Sequence, residues 1–221
     1  MSRYHTETIT CPKCGAEGEF RIWDSVNTTL DPELKEKVRS GELFVWTCPG
    51  CGSKITVDYP TLYHQMEDRV MIYYAPNEME ETAAALKGLF RDADGEFKEI
   101  KEINLDYDYT KRVVATKNQF REKLVILDEG LDDRVVELTK AYMRAALYQQ
   151  DPDMIINEFL LDAENGKRIF ALHLADGRWA TSGFAQDLYD FFADRYKAEL
   201  ESNKDVIIDY DWAAGMISPE E

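Results

Sequence analysis

The chain has 221 residues, 44% hydrophobic and 12% aromatic, enough to bury one large core or two small ones. Its formal net charge of −17 repels nucleic acid and anionic membranes over a Debye length of about 8 Å. No apolar run approaches the roughly 18 residues of a membrane helix, and Met1–His5 lacks the apolar stretch of a signal peptide, so the expectation is a cytoplasmic protein with no membrane or nucleic-acid partner.

Tyr4–Thr10 reads as a strand entering a first turn, Cys11-Pro12-Lys13-Cys14-Gly15, and Phe20–Trp23 as a strand leaving it. Asp31, Pro32 and Glu33 start a helix: Asp31 as cap, Pro32 at the first helical position and Glu33 at the positive dipole end. Gly41 suits its end. Phe44–Thr47 then enters a second turn, Cys48-Pro49-Gly50-Cys51-Gly52, and Ile55–Tyr59 leaves it. A further strand lies within Tyr63–Tyr74, with Val70–Tyr74 its apolar part.

Asn77 and Glu80 have capping-box spacing before a helix carrying Ala83, Leu86, Leu89 and Phe90. Alternation at Ile103, Leu105, Tyr107 and Tyr109 predicts a strand within 100–116. Thr116 and Gln119 form a second capping box, opening a helix through Phe120, Leu124 and Leu127 that Gly130 breaks. Asp132 then caps a longer helix with an apolar stripe from Val135 to Ala146.

Asp151-Pro152-Asp153 reads as a linker. After it, strands at Ile155–Leu161, Ile169–Leu174 and Trp179–Thr181 are punctuated by Asn165-Gly166 and Asp176-Gly177, which suit hairpin turns. A helix follows with Phe184, Leu188, Phe191, Phe192 and Leu200 inward, and Val206–Ile208 suits a last strand. The predicted fold class is α+β: a zinc-ribbon-like N-terminal module with an inserted helix, an α/β middle region and a C-terminal β-meander plus helix. The predicted domains are residues 1–150 and 151–221. The second holds 6 basic and 16 acidic residues, so the negative charge is concentrated there.

The two Cys-Pro-x-Cys-Gly turns contain every cysteine in the chain. Cys11, Cys14, Cys48 and Cys51 supply the four thiolates of a closed tetrahedral site, with no position left for water or substrate. In an unexported protein such pairs read as metal ligands rather than disulfides. A structural Zn²⁺ is the leading reading; a rubredoxin-like iron site is the alternative, since four thiolates suit iron too. A redox dithiol fits less well because the motif occurs twice. Thirty-three residues separate Cys14 from Cys48, against roughly 15–20 in a compact ribbon, an excess that the helix near residue 32 accounts for.

No catalytic constellation accompanies the cysteines. His5, His64 and His173 have no motif partner, and Asp132-Asp133 reads as a helix cap. Asp92 and Asp94 before Gly95 hint at a calcium loop, but Phe90 and Lys101 would occupy its first and last ligand positions. Tyr59, Tyr63, Tyr73 and Tyr74 read as core, with a ligand groove as the alternative.

The motif Cys11-Pro12-Lys13-Cys14, then Trp46–Gly52, then Tyr59–His64, resembles the CpXC domain, as do the stretches Arg112–Lys123 and Gly130–Glu137. The resemblance spans roughly residues 5–145. It implies four metal ligands at Cys11, Cys14, Cys48 and Cys51, no catalytic residues, and a prokaryotic protein. The leading expectation is a non-enzymatic zinc-binding module with a protein partner. The alternatives are an enzyme using a pocket near Tyr63, His64 and Asp132, or an iron electron-transfer protein. A nucleic-acid binder is disfavoured by the acidic ribbon half. Oligomeric state is left open.

Overall fold

The computed structural model describes residues 2–86, 89–91, 97–99 and 109–217. The fold is mixed α+β, and its contacts divide it into two compact units, Met1–Arg121 and Glu122–Glu221. Asp151-Pro152-Asp153 lies within the second unit.

The first unit is built on a five-stranded sheet of order β1-β2-β5-β6-β9. Strands β1 (Arg3–Thr10) and β2 (Glu17–Asn27) form an antiparallel hairpin. The last residues of β2 run parallel to β5 (Thr61–Gln65), with Val26 opposite Tyr63 and Asn27 opposite His64. Strand β6 (Val70–Tyr74) is antiparallel to β5 and parallel to β9 (Thr110–Val114). Between β2 and β5 lie helix α1 (Glu33–Arg39), a 3₁₀ turn at Glu42–Phe44, and a small hairpin of β3 (Val45–Thr47) and β4 (Lys54–Thr56). Helix α2 (Met79–Leu86) precedes a short pair, β7 (Leu89–Arg91) with β8 (Phe97–Glu99).

The core of this unit is aromatic. Phe44 packs edge-on to Tyr74 with ring centroids 5.5 Å apart, Tyr74 stacks on Phe120 at 5.9 Å, and Phe120 meets Tyr63 at 6.2 Å. Each of these four rings is at most 2% exposed. The tyrosine hydroxyls bury with partners, as they must. Tyr59 donates to the Leu43 carbonyl at 2.8 Å, Tyr63 to Gln65 at 2.6 Å and Tyr74 to Asp58 at 2.8 Å.

The second unit joins helices to a three-stranded antiparallel meander. Helix α3 (Lys117–Asp128) opens in the first unit and ends in the second. Thr116 Oγ1 accepts from the Gln119 amide while Gln119 Oε1 accepts from the Thr116 amide, both at 3.1 Å, so the expected capping box is present. Helix α4 (Asp133–Gln150) starts at Asp132, whose carboxylate accepts from the Arg134 amide at 2.9 Å. Strands β10 (Ile156–Glu164), β11 (Lys167–Leu174) and β12 (Trp179–Gly183) pair in chain order. Asn165 and Gly166 both take positive φ at the first turn, as a two-residue hairpin requires. One face of the meander presents Phe159, Leu161, Phe170 and Leu172 to Ile126 and Val136. A second cluster joins Val135, Leu138 and Ala141 to Phe192, Leu200 and Ala213 from α5 (Gln186–Arg195), α6 (Lys197–Ser202) and α7 (Tyr210–Ile217).

Among the described residues, Glu122, Lys123, Glu137 and Lys140 are charged side chains buried in this unit, with Asp133 less buried beside them, where α3, α4, β10 and the segment before α7 meet. Lys140 Nζ donates to Glu122 at 2.8 and 3.1 Å and to Glu137 at 2.8 Å. Lys123 Nζ donates to Asp133 at 2.8 Å and to the Ile208 carbonyl at 2.9 Å, and lies 3.8 Å from Glu137. Glu122 also accepts the Leu161 backbone amide at 2.6 Å.

Four expectations are corrected. Leu89 is on a strand, not the end of α2; Gly88 in the sequence disfavours extending that helix. Asp31 does not cap α1: its carboxylate accepts from the Ser2 amide at 3.0 Å, and α1 has no side-chain cap. Phe191 is 57% exposed, with only its neighbour Phe192 turned inward. Val206–Ile208 forms no strand; Val206 and Ile208 are buried and the Ile208 carbonyl accepts from Lys123. The alternating residues at 103, 105 and 107 and the Asp92–Gly95 loop lie outside the described residues.

Candidate metal centre

Each Cys-Pro-x-Cys turn joins two antiparallel strands: the first sits between β1 and β2, the second between β3 and β4. The two turns have the same backbone geometry. The Cys11 amide donates to the Ala16 carbonyl and the Gly15 amide to the Cys11 carbonyl, each at 2.9 Å. In the second turn the Cys48 amide donates to Ser53 and the Gly52 amide to Cys48, again each at 2.9 Å. Gly15 and Gly52 have φ of 72° and 71°, a conformation a side chain strains against, which is why glycine follows each second cysteine.

The turns face one another. A Cβ on Gly50 would lie 2.7 Å from the Ala16 Cβ, and one on Gly18 would lie 3.0 Å from both Trp46 and Pro49. The Trp46 indole donates to the Glu19 carbonyl at 3.2 Å, tying β3 to β2. This packing brings all four sulfurs within 4.8 Å of one another. Cys11 Sγ lies 3.7 Å from Cys51 and Cys14 Sγ 3.5 Å from Cys48. Sulfurs at tetrahedral corners around an ion with bonds of about 2.3 Å would be about 3.8 Å apart. The cluster could therefore hold a metal ion.

Electrostatics favour a cation there. The Cys51 thiol is pulled down to about 6, chiefly by the Ser53 hydroxyl and amide beside it. Cys48 is lowered by the Gly50 and Cys51 amides despite its burial. The Ala16 amide favours the Cys14 thiolate, but the neighbouring sulfurs of Cys48, Cys51 and Cys11 outweigh it and push Cys14 up to about 12. The first thiolates formed thus oppose the last, and a bound cation removes that conflict.

The other sequence candidates have different surroundings. Tyr63 is fully buried in the aromatic core, which removes it from any groove. His64, on β5, is half-buried with Nε2 3.3 Å from the Tyr109 hydroxyl, and burial lowers its pKa. Asp132 caps α4 and holds Arg134. His5 lies 3.0 Å from Asp24, and His173 stacks on Trp179 at 4.7 Å. A cleft of about 470 Å³ in the first unit is lined by Asp58, Tyr74, Pro76, Asn77, Lys117 and Asn118 among others, and by none of Tyr63, His64 and Asp132.

The stretches Arg112–Lys123 and Gly130–Glu137 meet through Lys123, which bridges to Asp133 and Glu137. Sequence reasoning did not single out that cluster. Its signal was the i, i+4, i+7 spacing of Asp133, Glu137 and Lys140 on one helix.

A family model described as CpXC protein matches residues 9–140, which includes all four cysteines and both of these stretches. No curated protein and no solved structure matches the chain.

Proposed function

This chain belongs to the CpXC family, and we propose that it is a non-enzymatic protein whose Cys11, Cys14, Cys48 and Cys51 hold one structural Zn²⁺. The observation that carries this reading is the meeting of two equivalent turns with four sulfurs within 4.8 Å. Four thiolates complete a zinc shell and leave no open position, so the ion would act as a cross-link. Its binding would supply folding free energy on the order of 10 kcal/mol to a zinc-ribbon-like module with α1 inserted between its halves.

The working role is that of a cytoplasmic interaction module. Residues 122–221 carry 10 basic and 22 acidic side chains, a net charge of −12 that favours a basic protein surface over nucleic acid. Elemental analysis of purified protein tests the metal. One zinc per chain, lost together with a cooperative melting transition on chelation, is the expected result. Iron with a visible thiolate absorption would replace this reading by electron transfer. Metal-free protein with an unchanged melt would reject both.

A further inference from the structure

The five-stranded sheet of the first unit treats its two edges differently. At one edge, β9 has Val113 and Val114 buried and helix α2 packed against it. At the other lies β1, paired with β2 alone among the described strands, and seven of its eight residues are exposed. Such an edge presents backbone amides and carbonyls with no strand to meet them, which proteins ordinarily blunt by short length, lysine, proline, a bulge or a cover. The second unit follows that rule. Along β10, Glu122 accepts the Leu161 amide and Arg144 donates to the Ile156 carbonyl, and β12 has only five residues. Strand β1 runs Arg3-Tyr4-His5-Thr6-Glu7-Thr8-Ile9-Thr10, with neither lysine nor proline, and the irregularity in its pairing lies at its first step, between Arg3 and Tyr4. Its tyrosine, isoleucine and threonines favour extended backbone.

We infer that β1 pairs with β1 of a second copy of this chain, antiparallel, with Thr6 opposite Thr6, joining the two five-stranded sheets edge to edge. Because β1 is exposed on both faces, burial does not choose its register; the side chains do. A two-fold axis across an antiparallel pair places one residue opposite itself. With Thr6 there, His5 of each copy faces Glu7 of the other, and Tyr4 faces Thr8. Sliding by one residue sets His5 against His5, or Glu7 against Glu7, and like charges opposite one another destabilise a sheet. His5 and Glu7 share one face of β1, beside Ile22 and Phe20 of β2, while Tyr4, Thr6 and Thr8 share the other, beside Trp23, Arg21 and Glu19. Both sets of pairs therefore form at once. Tyr4 is already fixed by Trp23, with ring centroids 5.1 Å apart, and by the Arg21 guanidinium 4.2 Å above its ring, so little side-chain freedom is lost when Thr8 packs on it. The chain as a whole is strongly acidic, but β1 carries one arginine and one glutamate and brings no excess negative charge to the contact. The pairing also closes on itself, leaving no open edge at β1 for a third copy.

Analytical ultracentrifugation of the purified full chain, from micromolar to millimolar concentration, tests this. A monomer–dimer equilibrium is expected, with the outward amides of Tyr4–Thr8 exchanging hydrogen more slowly as dimer forms. His5→Glu sets a carboxylate against Glu7 on both sides of the two-fold axis and should weaken the dimer by roughly tenfold, whereas His5→Glu combined with Glu7→Lys should restore it. A natural chain that stays monomeric over the whole range overturns the inference, whether or not the variants fold. So does a dimer that His5→Glu leaves as tight as before, or one whose β1 amides exchange as fast as in the monomer, since either places the contact on another surface. None of these readouts reports on the cysteine cluster, so their failure leaves the zinc reading standing.

Discussion

The two units solve one problem in opposite ways. Each gathers acidic groups in a small space: four thiols where the Cys-Pro-x-Cys turns meet, and three carboxylates between α3 and α4. The first cluster contains no cationic side chain, and on the reading proposed above it takes its positive charge from a metal ion. The second carries its own cations, Lys123 and Lys140. The lesson is that a charge supplied from solution makes folding conditional on supply, whereas a charge supplied by the chain makes it conditional only on the packing of the helices that carry it.

The largest expected effect separates the two. Cys48→Ser should release the metal and expose the amides of residues 3–65 to rapid hydrogen exchange, a loss on the order of 10 kcal/mol. Amides of α4 and β10–β12 should keep their protection; exchange that spreads equally to them would show that the contrast between the units is false. Next comes Lys140→Met, which leaves Glu122 and Glu137 facing each other without their shared cation. Removing one partner of a buried pair typically costs about 3–5 kcal/mol, read from the urea midpoint, and a midpoint within error of the natural protein would show the cluster to be hydrated.

A steric test sharpens the first half. Gly50→Ala drives a methyl to 2.7 Å from the Ala16 Cβ and should cost about 1–3 kcal/mol by overpacking. Ala16→Gly in the same chain should recover most of that loss, and absence of recovery would place the strain elsewhere. The smallest effect is Thr116→Ala at the capping box, about 1 kcal/mol in thermal unfolding; a value near zero would mean that packing of Phe120 alone sets where α3 begins.

What was legible in the sequence was local. The cysteine turns, the Thr116–Gln119 box, the Asp132 cap and the Asn165-Gly166 turn each satisfy their requirements within a few residues, so spacing alone reveals them. The sulfur cluster was legible for a further reason: four thiols have few other ways to be satisfied in a reduced chain. The ion cluster was not, because Glu122 and Lys123 on one helix and Asp133, Glu137 and Lys140 on the next read as ordinary solvated charges until the helices are packed. Asp31 shows the reverse failure, a good local cap drawn off by a partner 29 residues away. Phe191 and Phe192 show that neighbouring aromatics need not share a fate: on a helix they point about 100° apart.

The α1 insertion between the cysteine turns has a meaning in polymer terms. Whatever joins the turns closes a loop of 33 intervening residues between Cys14 and Cys48. Closure entropy grows only with the logarithm of length, about 0.6 kcal/mol for each doubling, so α1 costs well under 1 kcal/mol relative to a ribbon half as long. Chain length between the turns is therefore a nearly free variable as far as loop closure is concerned, and what holds α1 in place is the burial of Leu34 and Val38.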